Sequence, residues 1–242
     1  MLTGFRNIFS PPRHLMLMVI AIWVGLSLAE KRADRHGIGK DELSSLTFYS
    51  VIAFLFGGRI SFVLQNTPAF SQSPLDMISI NPELFDLLGA AIVALLAAFT
   101  YAQGHGLFRW STLDALTPIF ATAAIGLGLS HIAAGTAFGL PTNLPWAIDL
   151  WSDNRHPTQI YETLGAMLTF ALLWFRRRRP HAGGEFLLFM EITAGYQLFI
   201  GAFRADSRLL LNAYKADQVI AWSMLALGFA LSELAGRRSK KL

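Results

Sequence analysis

Seven apolar runs divide the chain, near residues 13–29, 45–65, 85–103, 113–139, 160–175, 184–203 and 216–235. Each is close to the ~20 residues that an α-helix needs to cross a hydrocarbon core of ~30 Å. The pattern predicts an all-α, polytopic membrane bundle of about seven transmembrane helices, occupying residues 1–242 as a single integral membrane domain. The fourth run differs from the rest. Gly126, Gly128, Gly135 and the small residues among them weaken a straight helix but let neighbours approach closely, which predicts a place inside the bundle. Ser27-Leu28-Ala29 has the small-x-small look of a signal-peptide cleavage site. Lys31, Arg32 and Arg35 follow at once, a flank that predicts a retained helix instead.

Composition supports the membrane assignment. Hydrophobic residues make up 53% of the chain and charged residues 15%, against about 25% charged in ordinary soluble domains. Intrinsic disorder, which needs low hydrophobicity and high net charge, is excluded as well. With no cysteine, disulfide scaffolds, cysteine nucleophiles and thiolate metal sites are excluded too.

Basic residues orient the bundle. With the N-terminus outside, thirteen of the twenty lysines and arginines fall on the inner side, including Lys31, Arg32, Arg35, Lys40, Arg109, Arg176 to Arg179, Lys240 and Lys241. Six fall outside (Arg6, Arg13, Arg155, Arg204, Arg208 and Lys215), and Arg59 is left inside a helix. The positive-inside rule then places the C-terminus in the cytoplasm. This bias explains the isoelectric point of 9.6 and predicts no nucleic-acid partner. The expected outer loops, 66–84, 140–159 and 204–215, are rich in Pro, Asn, Asp and Trp. Such loops on one face predict a site that opens outward.

Arg59, in Gly57-Gly58-Arg59-Ile60-Ser61, is the sharpest chemical signal. An intramembrane guanidinium costs about 2–3 kcal/mol or more without a partner. It either snorkels to the headgroups, pairs with an acid such as Glu191 or Asp86, or holds a lipid phosphate through its fork. Gly57 and Gly58 leave room for another backbone or a ligand. The second signal is Arg155-His156-Pro157-Thr158-Gln159-Ile160-Tyr161-Glu162. It reads as a capped helix start with an interfacial tyrosine, or as His156, Gln159 and Glu162 on one face, where an imidazole beside a carboxylate makes a general base. His131 is either a packed polar residue or a catalytic one. No metal, phosphate-loop or dinucleotide motif is present, and no cofactor is predicted.

These segments resemble the bacterial prolipoprotein diacylglyceryl transferase family. The match runs in order through Gly57-Gly58-Arg59-Ile60, Gly139-Leu140-Pro141-Thr142, the His156–Glu162 stretch and Gln218. The resemblance implies a multi-pass protein of the bacterial inner membrane with its active face toward the periplasm or cell exterior. It also implies transfer of a diacylglyceryl group from phosphatidylglycerol to the lipobox cysteine of a prolipoprotein signal peptide. It assigns catalysis to His156, Glu162 and His131, and substrate binding to Arg59, Gly139, Gln159, Tyr161 and Arg204, with membrane lipid as the surrounding partner. Gly128 and His131 stand where the family has an arginine and an asparagine. Leu15 stands for a tyrosine, and Leu84 to Gly89 for a histidine-glycine-glycine opening of the third helix. His131 then becomes the base and Arg204 the cation. The alternatives are a catalytically silent relative that binds phospholipid or precursor, and a small transporter.

Overall fold

A computed structural model describes residues 2–70, 76–77, 84–176 and 181–239. Arg177, Arg178, Arg179, Lys240 and Lys241, and residues 71–75 and 78–83 of the expected loop 66–84, lie outside the described residues. The helices are α1 (Leu2–Ile8), α2 (Leu15–Ala33), α3 (Lys40–Gln65), α4 (Thr67–Phe70), α5 (Leu87–Gly104), α6 (Trp110–Ala134), α7 (Thr158–Phe175), α8 (Gly184–Phe203) and α9 (Ala216–Ser239). Two antiparallel hairpins, β1 (Ile148–Leu150) with β2 (Asp153–Arg155) and β3 (Leu209–Leu210) with β4 (Tyr214–Lys215), occupy two of the expected outer loops.

Each apolar run becomes a helix. Five of them, α3, α5, α6, α8 and α9, are long and apolar enough to cross a membrane. The other two, α2 and α7, form where expected but are more polar. Glu30, Lys31 and Arg32 close α2, and Gln159 and Glu162 sit in the opening turns of α7. The outer faces are apolar, as lipid-facing surfaces must be when no water is there to be avoided. Leu64 on α3, Leu88 and Leu95 on α5, and Phe199 on α8 are all exposed.

The chain divides into two compact units, one of Met1–Lys31 with Leu113–Leu242, the other of Arg32–Thr112. In the larger unit α6 is the inner helix: half of its apolar window is buried, against 11–28% for the other four spans. Gly25 of α2 sits against Thr122 and the Ile119 backbone, and Gly126 of α6 against Ala21, the close approach that small residues allow. The helix stops at Ala134, earlier than the apolar run suggests. Gly135 adopts φ +71° and its N–H bonds the His131 carbonyl at 2.8 Å, a left-handed turn that glycine enters without steric cost. Asp114, buried near the start of α6, accepts from the backbone N–H groups of Gly183, Glu185 and Phe186 at 2.6, 2.9 and 3.0 Å. It supplies the cap that the first turn of α8 would otherwise lack.

In the smaller unit α3 and α5 pack antiparallel, with Val93 and Phe85 filling the space over Gly57 and Gly58. Asp86 precedes α5 as its N-cap. It accepts from the Ser61 hydroxyl at 2.7 Å, the Gly89 N–H at 2.8 Å and the Gln65 amide at 3.1 Å. These donors, the Ser61 hydroxyl foremost, hold its carboxyl below the usual carboxylate range.

Candidate active site

The polar residues of the larger unit gather where α6 ends and α7 begins. Glu162, 5% exposed, faces inward from α7. One carboxylate oxygen lies 2.8 Å from Nδ1 of His131, in the last turn of α6. Its other oxygen accepts from the Gln197 amide of α8 at 2.9 Å. A buried carboxylate needs such partners on both oxygens. Because the carboxylate accepts, Nδ1 of His131 carries the proton, and Nε2 keeps its lone pair in the neutral ring. A carboxylate that fixes the tautomer and orientation of an imidazole is the arrangement of a general base.

The imidazole that meets Glu162 is therefore His131. His156, which the spacing of three puts on the same face as Gln159 and Glu162, lies ahead of α7 in extended chain, because Pro157 is the N-cap and the helix starts at Thr158. Its ring packs 5.0 Å from Phe203 and 6.4 Å from Tyr161, centroid to centroid, and its buried Nδ1 has no hydrogen-bond partner among the described residues. Thr158 and Gln159 tie the helix start to the chain after α6, donating to the carbonyls of Ala137 at 2.6 Å and Thr136 at 2.9 Å. The Tyr161 hydroxyl accepts from the Trp146 indole at 2.7 Å.

Residues 138–142 run between two other chain segments. On one side the Leu140 N–H bonds Phe203 and the Ala205 N–H bonds Phe138, at 2.8 and 2.9 Å. On the other, the N–H of His156 bonds Leu140 and that of Thr142 bonds Asn154, at 3.0 and 2.8 Å. Gly139 is thereby paired with Arg204 and pressed against the carbonyl and Cβ of His156, which leaves no space for a side chain. Arg204 ends α8. Its guanidinium meets Asp206 at 3.1 Å and Asp217 at 3.2 Å, so its fork is already shared between two acids.

Arg59 lies in the smaller unit and partners neither Asp86 nor Glu191. Its guanidinium donates to the backbone carbonyls of Met77 at 2.9 Å, Leu84 at 2.7 Å and Asp76. Carbonyls hold the fork without cancelling its charge. Glu191 instead accepts from Ser232 of α9 at 2.6 Å. Gln197 is the site residue that sequence reasoning passed over; a lone amide within a membrane-length helix was the available signal.

Fold and site together define a membrane-embedded helical protein with a sheltered acid–base pair. The prolipoprotein diacylglyceryl transferase family model matches residues 14–233, and the chain belongs to that family. It is 30% identical to the phosphatidylglycerol–prolipoprotein diacylglyceryl transferase of Nostoc sp., over 89% of this chain and 82% of the relative. The Thermotoga maritima protein of the same name is 32% identical, over 88% and 77% of the two chains. That of Vibrio parahaemolyticus is 27% identical, over 93% and 85%.

The packing at Gly139 yields a direct prediction. Gly139→Ala pushes a methyl group into the His156 backbone and lowers stability by about 1–3 kcal/mol, read as a lower midpoint in thermal unfolding of the detergent-solubilised protein. Gly195→Ala, at a position with open space around it, leaves the stability within about 1 kcal/mol of the parent.

Proposed function

We propose that this protein transfers the diacylglyceryl group of phosphatidylglycerol to the cysteine thiol of a prolipoprotein. Family membership and the names of its relatives supply the reaction class; the observation that carries the mechanism is the hydrogen bond between His131 and Glu162. Nε2 of His131 takes the thiol proton while Glu162 orients the ring and stabilises the imidazolium. The thiolate sulfur attacks the diacylglyceryl carbon bonded to the phosphate oxygen. The C–S bond forms as the C–O bond breaks, and glycerol phosphate departs with the bonding electrons.

Arg59 binds the lipid phosphate, an assignment supported by a guanidinium held on neutral carbonyls. Gly139, Gln159, Tyr161 and Arg204 shape the substrate-binding region, and His156 belongs to its wall beside Phe203. The acceptor is the lipobox cysteine of a signal peptide. A transfer assay with phosphatidylglycerol and a lipobox peptide, read by mass, tests the proposal. The expected result is a diacylglyceryl mass gain on the cysteine peptide and none on its serine counterpart, slowed about 10²-fold or more by His131→Ala. Lipid binding with no mass gain is the behaviour of a silent relative and would overturn it.

The chain spans the inner membrane seven times, with the N-terminus outside, the C-terminus in the cytoplasm and the active face outward. The distribution of lysine and arginine supports this orientation. Because the chain has no cysteine, single cysteines report on it cleanly. Asp153→Cys is expected to react with a membrane-impermeant maleimide in spheroplasts, and Gln103→Cys only after permeabilisation. The reverse pattern would invert the topology.

A further inference from the structure

The two hairpins of the larger unit differ in what they show to their surroundings. In the first, β1 and β2, Asp149, Asp153 and Asn154 are exposed and Leu150 is buried. That is the alternation of a hairpin with one face on the protein and the other in water. Its tip residue Trp151 is tied down, the indole N–H donating to the Gly135 carbonyl at 3.0 Å.

The second hairpin, β3 and β4, has no such alternation. Between Arg208 and Lys215 the chain reads Leu209-Leu210-Leu211-Asn212-Ala213-Tyr214. Leu209 and Leu210 point to opposite faces, and both are exposed. Tyr214, opposite Leu210, is exposed as well, and Leu211 at the tip is 91% exposed. Lys215, the only charge on these strands, turns its ammonium back to the carbonyls that end α8.

The turn carries a second sign. Leu211 and Asn212 take φ of +52° and +54°, and the Ala213 N–H bonds the Leu210 carbonyl at 3.0 Å. Asparagine enters this left-handed region readily, whereas leucine does so against its own Cβ. A turn in water is better served by glycine or asparagine, so the leucine is accounted for by what its side chain reaches.

Whatever covers this hairpin has to cover both faces and the tip. A folded partner lies against one face and leaves the other to water. A lipid leaflet surrounds all three, and it is also the adjoining medium. Phe199 near the end of α8, and Ile220 and Trp222 in the first turns of α9, are exposed apolar residues on helices of membrane-spanning length. Tyr214 and the exposed Arg208 at the base are residue types of the membrane boundary.

We propose that the β3–β4 hairpin is a lipid anchor, with Leu209, Leu210 and Leu211 seated in the leaflet that adjoins the end of α8 and the start of α9. The seat is tied to the polar residues at its base. The Ala216 N–H bonds the Arg208 carbonyl at 2.8 Å, and Ser207 donates at 2.6 Å to Asp217, one of the two acids that share Arg204. Arg204 is thereby kept at the level of the lipid boundary. The seat requires no particular orientation of the chain and no turnover.

The test places an environment-sensitive NBD fluorophore at Leu211→Cys of the full, otherwise cysteine-free chain in phosphatidylcholine nanodiscs. Nitroxide attached near the top of the acyl chains is expected to quench the label, and aqueous iodide to leave it unchanged. A label at Asp153→Cys, on the polar hairpin, is expected to show the reverse, and one at Ile220→Cys to follow Leu211→Cys. Leu210→Cys supplies a second hairpin position if labelled Leu211→Cys does not fold. Adding Leu209→Asp is expected to move the Leu211→Cys label from nitroxide towards iodide quenching, because a carboxylate opposes insertion. An unchanged pattern would contradict a seat made by the leucines.

Iodide quenching at the hairpin positions without nitroxide quenching would put the hairpin in water and overturn the assignment. Protection from both quenchers would mean that a protein surface covers it, and would overturn the assignment too.

Discussion

A carboxylate buried among membrane helices has to be partnered, and the partners of Glu162 organise the larger unit. Stripping a carboxylate of water is costly enough that an unpaired one would not stay ionised. Here α6 contributes His131 at 2.8 Å and α8 contributes Gln197 at 2.9 Å. Three helices thus meet at one side chain. The same constraint fixes the ring, since a neutral imidazole that donates through Nδ1 has its acceptor at Nε2. Gly128 has a related place: a Cβ there would run into Thr163 of α7. The position at which the resemblance sets an arginine is closed by helix packing, and His131 lies a turn further on.

The segments between α6 and α7 and between α8 and α9 frame this core. Backbone bonds pin residues 138–142 on two sides, and Lys215 donates to the carbonyls of Gly201, Ala202 and Arg204 at 3.1, 2.9 and 2.6 Å. Those carbonyls belong to the end of α8, where a cation also complements the helix dipole.

Much of this was legible in the chain. Hydropathy located every long helix within a few residues, because a span must be continuously apolar and its length is set by the bilayer. The start of α7 was readable from Pro157, and Glu162 stood out as a carboxylate spaced to share a helix face with Gln159. The partner of Glu162 was not. Spacing along one helix pointed to His156, whereas the true contact joins residues 31 apart on two helices, and helical periodicity carries no information about that distance. The hairpins were also hidden. Trp151, Ser152, Leu211 and Asn212 take positive φ, and three of these four are not residues that announce a left-handed turn. Arg59 was recognised as exceptional, yet its carbonyl partners could not be inferred, since any backbone can offer a carbonyl.

The claim on which the account depends is that His131 and Glu162 work as one unit. A double-mutant cycle on the transfer rate, with His131→Ala, Glu162→Gln and the two combined, measures that directly. If the pair is a unit, the double variant transfers about as slowly as the slower single variant, because removing either partner already removes the oriented base. Losses that simply multiply would show two residues acting independently, and would contradict the account.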